Sequence, residues 1–278
     1  MQFERIDLYK YFKVKRPKNA QGYLNNYVIS PCEEMGLNRL RPAMLVIGGG
    51  GYLFVSDREK EPVAIHYLSK GFDAFVLEYS VKPIAYPYQL VEACMAIAYI
   101  RENAEKLGVD KEHVGAVGFS AGGHLCAMLG NLFDEQVVKE TLKDKANLCR
   151  PDAVVLAYPV ISGGEFAHDE SMNNISGGNN ELRQALSLEN RVKENSAPAF
   201  IWATMNDGCV RSENSLLMAY AYKKAKIPFE LHVFEDGSHG LSLAIAETVR
   251  INDEASKWVE LCDAWLSKRG FKISYKGE

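Results

Sequence analysis

His113-Val114-Gly115-Ala116-Val117-Gly118-Phe119 runs directly into Ser120-Ala121-Gly122, and then into Gly123-His124-Leu125-Cys126-Ala127-Met128-Leu129. The first part is an apolar run that reads as a β-strand, and the last reads as a helix. Between them G-x-S-x-G sets a serine on a sharp strand-to-helix turn. Such a turn lifts the Ser120 hydroxyl above the sheet edge and aims a helix N-terminus at whatever sits there. Alone, the motif arises by chance in about one chain of this length in ten, and a serine in this place also suits an ordinary helix N-cap. The rest of the chain decides between the two.

Outward from this turn, β-rich apolar runs alternate with helical patterns, the signature of βαβ units and a mostly parallel sheet. Strands are expected at 23–29, 43–47, 74–79, 113–119, 153–158, 199–205 and 229–234, and an early strand near 6–12 would make eight. Pro87 suits the first position of a helix whose apolar face is Leu90, Val91, Cys94, Ile97 and Ala98 and which Gly108 stops. A last helix carries Ala255, Trp258, Val259, Cys262, Trp265 and Leu266 and ends at Gly270. The expected fold is therefore α/β, one domain over 1–278 with helices on both faces of the sheet. Two excursions, 131–150 and 161–198, interrupt the alternation. Both are expected to leave the carboxyl side of the sheet, where open α/β folds bind ligands, and to form a small lid.

The 278 residues are 47% hydrophobic with a net charge of -4, enough for a sizeable core. Charges of both signs are mixed throughout, so neither a nucleic-acid stripe nor a polybasic membrane patch is expected, and the partner is a small molecule. No apolar stretch approaches the roughly 20 residues of a bilayer span, and Met1 to Asp7 has no signal-peptide pattern, which points to the cytoplasm. Cys32, Cys94, Cys126, Cys149, Cys209 and Cys262 are widely spaced and read as reduced core residues. No metal and no cofactor is expected.

A serine hydroxyl is barely ionised at neutral pH, so it needs a base within reach and a carboxylate to orient that base. His239 follows the last expected strand, in Glu235-Asp236-Gly237-Ser238-His239-Gly240, and Asp207 follows the strand before it, in Met205-Asn206-Asp207-Gly208. Both loops fall at the sheet edge that carries Ser120. Asp236, and less so Glu235, compete as the carboxylate, although a residue so near His239 better suits a turn. Asp207 itself fits an Asx turn. His124, on the helix behind Ser120, reads as a structural histidine, His168 falls in the lid, and His66, His113 and His232 occupy helix or strand positions. The glycine run Gly48-Gly49-Gly50-Gly51 follows the strand at 43–47 and lets backbone amides approach a substrate oxygen. Gly50 and Gly51, with the amide of Ala121, are the expected oxyanion donors. The run lacks both the P-loop ending and the dinucleotide spacing.

Gly49 to Tyr52, Ser56 to Glu59, Phe75 to Val81, Tyr86-Pro87, Gly118 to Leu125, Tyr158 to Ile161 and Ser238 to Gly240 together resemble the acetyl-xylan-esterase-like branch of the α/β-hydrolases, over about 42–243. The resemblance implies an eight-stranded hydrolase sheet, a Ser-Asp-His triad of Ser120, Asp207 and His239, no metal, and carboxylester substrates, often acetylated sugars. Where that branch commonly has proline before its three glycines, this chain has Gly48. Tyr52, Arg58 and Glu59 are the candidates for substrate contact, and Phe54 and Trp202 lie near the expected site. Ser56 to Glu59 also matches a capping box, in which Arg58 and Glu59 serve as cap or ion pair. Pro62 fits poorly in a helix starting that early. The expectation is a short-chain serine carboxylesterase. An oligopeptidase-like peptidase or a lipase is the alternative, and an inactive hydrolase-fold binding protein the non-enzyme reading.

Overall fold

The computed structural model describes residues 1–277, and one sheet organises it. In spatial order its strands are β1 (Gln2–Asp7), β2 (Tyr23–Val28), β4 (Asp73–Glu78), β3 (Arg39–Ile47), β5 (Val109–Phe119), β6 (Ala153–Ala157), β7 (Ala199–Thr204) and β8 (Phe229–Phe234). β2 pairs antiparallel with both β1 and β4, and every pair from β4 through β3 to β8 is parallel. A short strand, β9 (Ser274–Tyr275), adds to Leu40 and Arg39 of β3, bringing the sheet to nine strands.

Alternation along each strand divides the apolar core into two layers. Ala43, Leu45 and Ile47 of β3 and Val154 and Leu156 of β6 share one cluster with α3 (Tyr88–Glu102), α5 (Ala121–Leu132) and α9 (Glu213–Ala225). Met44, Val46 and Val155 share the other with α2 (Glu61–Ser69) and α10 (Trp258–Lys268). A strand buried on both faces reads as a continuous apolar run, which is why the central strands stand out in the sequence.

Strand boundaries agree with the sequence reading to within a few residues except at the start. The first strand ends at Asp7, whose carboxylate accepts from the Lys10 amide at 3.0 Å and caps the single helical turn α1 (Leu8–Tyr11). The early strand therefore lies upstream of the expected 6–12. Pro87 sits at the cap of α3 rather than inside it, and the chain continues through α4 (Ala104–Leu107) to Gly108, whose φ of 72° ends the helical path.

The two excursions part company. α5 carries the chain from the carboxyl edge back to the amino edge, so residues 131–150, which precede β6, fold there. Within them α6 (Gln136–Leu142) and the 3-10 stretch Lys143–Leu148 pack on α3. Lys145 pairs with Glu102, and just beyond, Asp152 pairs with Arg101 at 2.6 Å. The expectation of a lid from 131–150 is thus corrected by chain direction alone. Residues 161–198 do begin at the carboxyl edge and contain α7 (Asp169–Ser176) and α8 (Asn180–Ala185). Cys94, Cys126, Cys149 and Cys262 are buried thiols, but Cys209 is exposed in the loop after β7 and Cys32 half-buried, so the core reading fails for those two. Among the described residues, no helix is long and apolar enough to cross a membrane.

Candidate active site

Ser120 has φ 55° and ψ -120°, and its hydroxyl makes no capping hydrogen bond, which removes the N-cap reading. A non-glycine residue in this region is strained and is held by its surroundings. Here the Ser120 amide donates to Ala157 O at 3.0 Å, and the Ser120 carbonyl accepts from Val160 N at 3.0 Å and His124 N at 3.1 Å. The flanking glycines record close approach of backbones. A Cβ on Gly118 would stand 2.2 Å from Gly122 O, and one on Gly122 would stand 2.3 Å from Gly48 O. Strand, helix and glycine loop meet at the serine with no room for a side chain.

Ser120 Oγ lies 2.8 Å from His239 Nε2, and His239 Nδ1 lies 2.7 Å from Asp207 Oδ2. A carboxylate only accepts, so Nδ1 carries the proton and Nε2 accepts from the serine hydroxyl. The other Asp207 oxygen accepts from Cys209 N at 2.8 Å and Val210 N at 3.0 Å, so the residue shapes its turn as well. Asp236 instead accepts from Asn206 Nδ2 at 2.8 Å, and Asn206 Oδ1 accepts from Gly237 N, which ties the two loops together. The remaining histidines are engaged elsewhere: His66 with Asp263, His113 with Asp110, His232 with Glu230.

His124 is fully buried. Its Nε2 donates to Leu186 O at 2.9 Å, so its Nδ1 accepts from the Tyr52 hydroxyl at 2.8 Å. Burial pushes this imidazole down to about 4, which keeps it neutral around pH 7. Tyr52, expected at the substrate, is 0% exposed, holds φ 58° and serves this hydrogen bond instead.

The glycine loop is pinned from behind. Gly49 N donates to Glu59 Oε2 at 2.7 Å, and Gly48 O accepts from the Tyr79 hydroxyl at 2.8 Å. Among the described residues, no acceptor pairs with the amides of Gly50, Gly51 and Ala121. Glu59 is 2% exposed, and its second oxygen accepts from the Tyr158 hydroxyl at 2.7 Å. That hydroxyl in turn accepts from Ser242 N at 2.8 Å, while the Tyr158 ring stands edge-on to His239 at 5.1 Å. One buried carboxylate thereby couples the glycine loop, the end of β6 and the His239 loop. Ser56 forms no cap, and α2 starts later with Pro62 in its first turn, so the capping box is absent. The Glu59, Tyr158 and Ser242 contacts have no spacing rule, and only the apolar strand end before Tyr158 hints at its position.

These groups open into a cavity of about 360 Å³ whose wall includes Gly50, Gly51, Ser120, His239, Arg58 and Phe54. The segment 161–198 contributes His168 and Glu170, and Cys209 Sγ lies 3.5 Å from His168 Nε2. Trp202 is buried and stacks on Trp258 at 5.1 Å, so it belongs to the core.

This strand order, with its cavity at the carboxyl edge, is the α/β-hydrolase fold. The acetyl ester-xyloside bifunctional hydrolase of Caldicellulosiruptor lactoaceticus superposes on it with a TM-score of 0.85 at 37% identity, over 97% of each chain. The carboxylesterase Cest-2923 of Lactobacillus plantarum shares this fold with a TM-score of 0.81 at 26% identity, over 100% of each chain. More narrowly, residues 34–222 match the BD-FAE family model, and the chain belongs to that family. Endo-1,4-beta-xylanase B of Butyrivibrio fibrisolvens is 40% identical over 73% of the chain, and the acetylxylan esterase of Xylanibacter ruminicola is 27% identical over 71%. The matches span 33% and 40% of those two relatives' own lengths.

Proposed function

We propose that this chain is a serine esterase that removes short acyl groups, acetyl foremost, from carbohydrates by way of an acyl-enzyme on Ser120. The observation that carries the reading is the continuous hydrogen-bond run from Asp207 through His239 to Ser120, ending beside three amides without acceptors. In the first half-reaction His239 Nε2 takes the Ser120 proton as the hydroxyl oxygen attacks the ester carbonyl. The carbonyl oxygen becomes an oxyanion held by Gly50, Gly51 and Ala121 amides. His239 then gives its proton to the departing alcohol oxygen, and the carbon-oxygen bond breaks. Water repeats the sequence on the acyl-serine, restoring Ser120 and releasing the acid. Asp207 holds the tautomer throughout.

The acyl preference rests on the modest cavity and on the acetyl-ester activities for which the acetylxylan esterase and the acetyl ester-xyloside hydrolase are named. A cytoplasmic setting suits the six free thiols. The test is a matched panel of acetyl, butyryl and octanoyl esters alongside acetylated xylo-oligosaccharides. Fast acetate release from the sugars is expected, and preference for octanoyl esters would overturn the substrate assignment.

A further inference from the structure

Two guanidinium groups in the cavity wall have no anionic partner. Arg58 and Arg250 both line the cavity, and among the described residues neither lies within 4.0 Å of a carboxylate. Arg58 Nε is buried with no hydrogen-bond partner. Arg250 Nη1 donates to the His239 carbonyl and lies 3.4 Å from Ser238 Oγ, so its guanidinium is anchored beside the base by neutral groups. The two converge on one place: a Cβ on Gly240 would stand 3.3 Å from Arg58 Nη2 and 3.8 Å from Arg250 Nη1. Glycine at 240, with φ 75°, leaves that space open.

The nearby carboxylates do not neutralise this wall. Both oxygens of Glu59 are used by Gly49 N and Tyr158 OH, and Asp207 is used by His239, Cys209 and Val210. Glu170 sits across the cavity, with Oε2 3.8 Å from where a Cβ on Gly51 would stand. The cavity is thus polarised, cationic beside the His239 loop and anionic beside the glycine loop. A half-buried guanidinium without an acceptor is a costly arrangement unless a ligand supplies one, and its planar fork matches a carboxylate.

We propose that Arg58 and Arg250 form a subsite for a carboxylate on the alcohol half of the ester, so that the preferred substrate is an acylated acidic sugar. The inference rests on the reading of Ser120 and His239 given above. The carbonyl oxygen faces the Gly50 and Gly51 amides, whereas the departing alcohol oxygen comes within reach of His239 Nε2. The arginines flank His239, so the alcohol half meets them. An acidic group there is held by charge-assisted hydrogen bonds in both ground and transition states, which acts chiefly on KM.

The experiment compares acetylated glucuronic acid with acetylated glucuronamide, its neutral isostere, by acetate release. The intact protein is expected to favour the acid by about tenfold in kcat/KM, mainly through KM, with the preference shrinking as salt rises. Arg58→Gln and Arg250→Gln are each expected to bring the ratio towards one, a comparison internal to each variant and insensitive to partial misfolding. A ratio near one in the unaltered protein, or a ratio that both variants preserve, overturns the subsite. If neither ester is hydrolysed, the carbohydrate-ester reading fails on its own, and calorimetry with glucuronate decides the subsite: binding weakened by both substitutions supports it, and no binding overturns it.

Discussion

At the carboxyl edge of the sheet, Tyr52, Ser120, Tyr158 and Ser242 all hold positive φ, and hydrogen bonds from neighbouring segments pin their backbones. At the amino edge, in 131–150, only Lys143 does so, and the segment is joined to α3 by helix packing and ion pairs. Both stretches come from the same alternating chain. The difference lies in what each must hold still: the carboxyl edge fixes atoms relative to a reacting bond, where a displacement of about 1 Å matters, while the amino edge only has to stay packed. Substitutions at the first should therefore act on rate, and at the second on stability.

The sharpest contrast comes from Asp207→Asn, which leaves the fold intact but loses the carboxylate that fixes the His239 tautomer. Turnover of p-nitrophenyl acetate is expected to fall by about 10⁴, and a fall of less than tenfold would break the comparison. Glu59→Gln comes next. It sets an amide where the carboxylate accepts from both Gly49 N and Tyr158 OH, so the glycine loop loses its fixed position; kcat should drop by about a hundredfold, the scale of one lost oxyanion donor, with KM less affected. If KM rises instead while kcat holds, Glu59 contacts substrate and the clamp is wrong.

At the amino edge the effects change kind. Asp152→Asn weakens the 2.6 Å pairing with Arg101 and the 2.8 Å bond from Val114 N. It is expected to lower unfolding stability by about 1–2 kcal/mol with kcat/KM unchanged within twofold, read by denaturant titration and initial rates on one preparation. Smallest is Lys145→Ala, which removes a solvent-exposed pairing with Glu102 and should leave both the unfolding midpoint and the activity unchanged within measurement error. Loss of activity in Lys145→Ala would mean that 131–150 reaches the site after all.

The same two edges explain what the sequence did and did not disclose. Parallel strands place every post-strand loop on one side, so the meeting of Ser120, Asp207 and His239 at one edge is legible from order alone. The glycine run was legible for the same reason. The reversal that α5 imposes carries 131–150 to the opposite edge, which is why that segment forms no lid. What had no sequence signal was the support behind the site. Glu59 meets Tyr158 across 99 residues, and Tyr158 meets Ser242 across 84, contacts that only the folded sheet creates. Tyr52 is a related case: proximity to the glycine run predicts nearness to substrate, but the ring is buried and bonds to His124. Arg58 falls in a motif stretch and is a candidate contact on sequence alone, while Arg250 lies in a loop without pattern.

The central claim is that Ser120 is the nucleophile, activated through His239. Intact mass measurement after treatment with a fluorophosphonate tests it directly. One adduct per chain is expected, mapped to Ser120, absent in Ser120→Ala and greatly slowed in His239→Ala, with Ser120→Ala losing about a millionfold in ester turnover. No adduct on Ser120, or a Ser120→Ala protein that keeps most of its esterase activity, would contradict it.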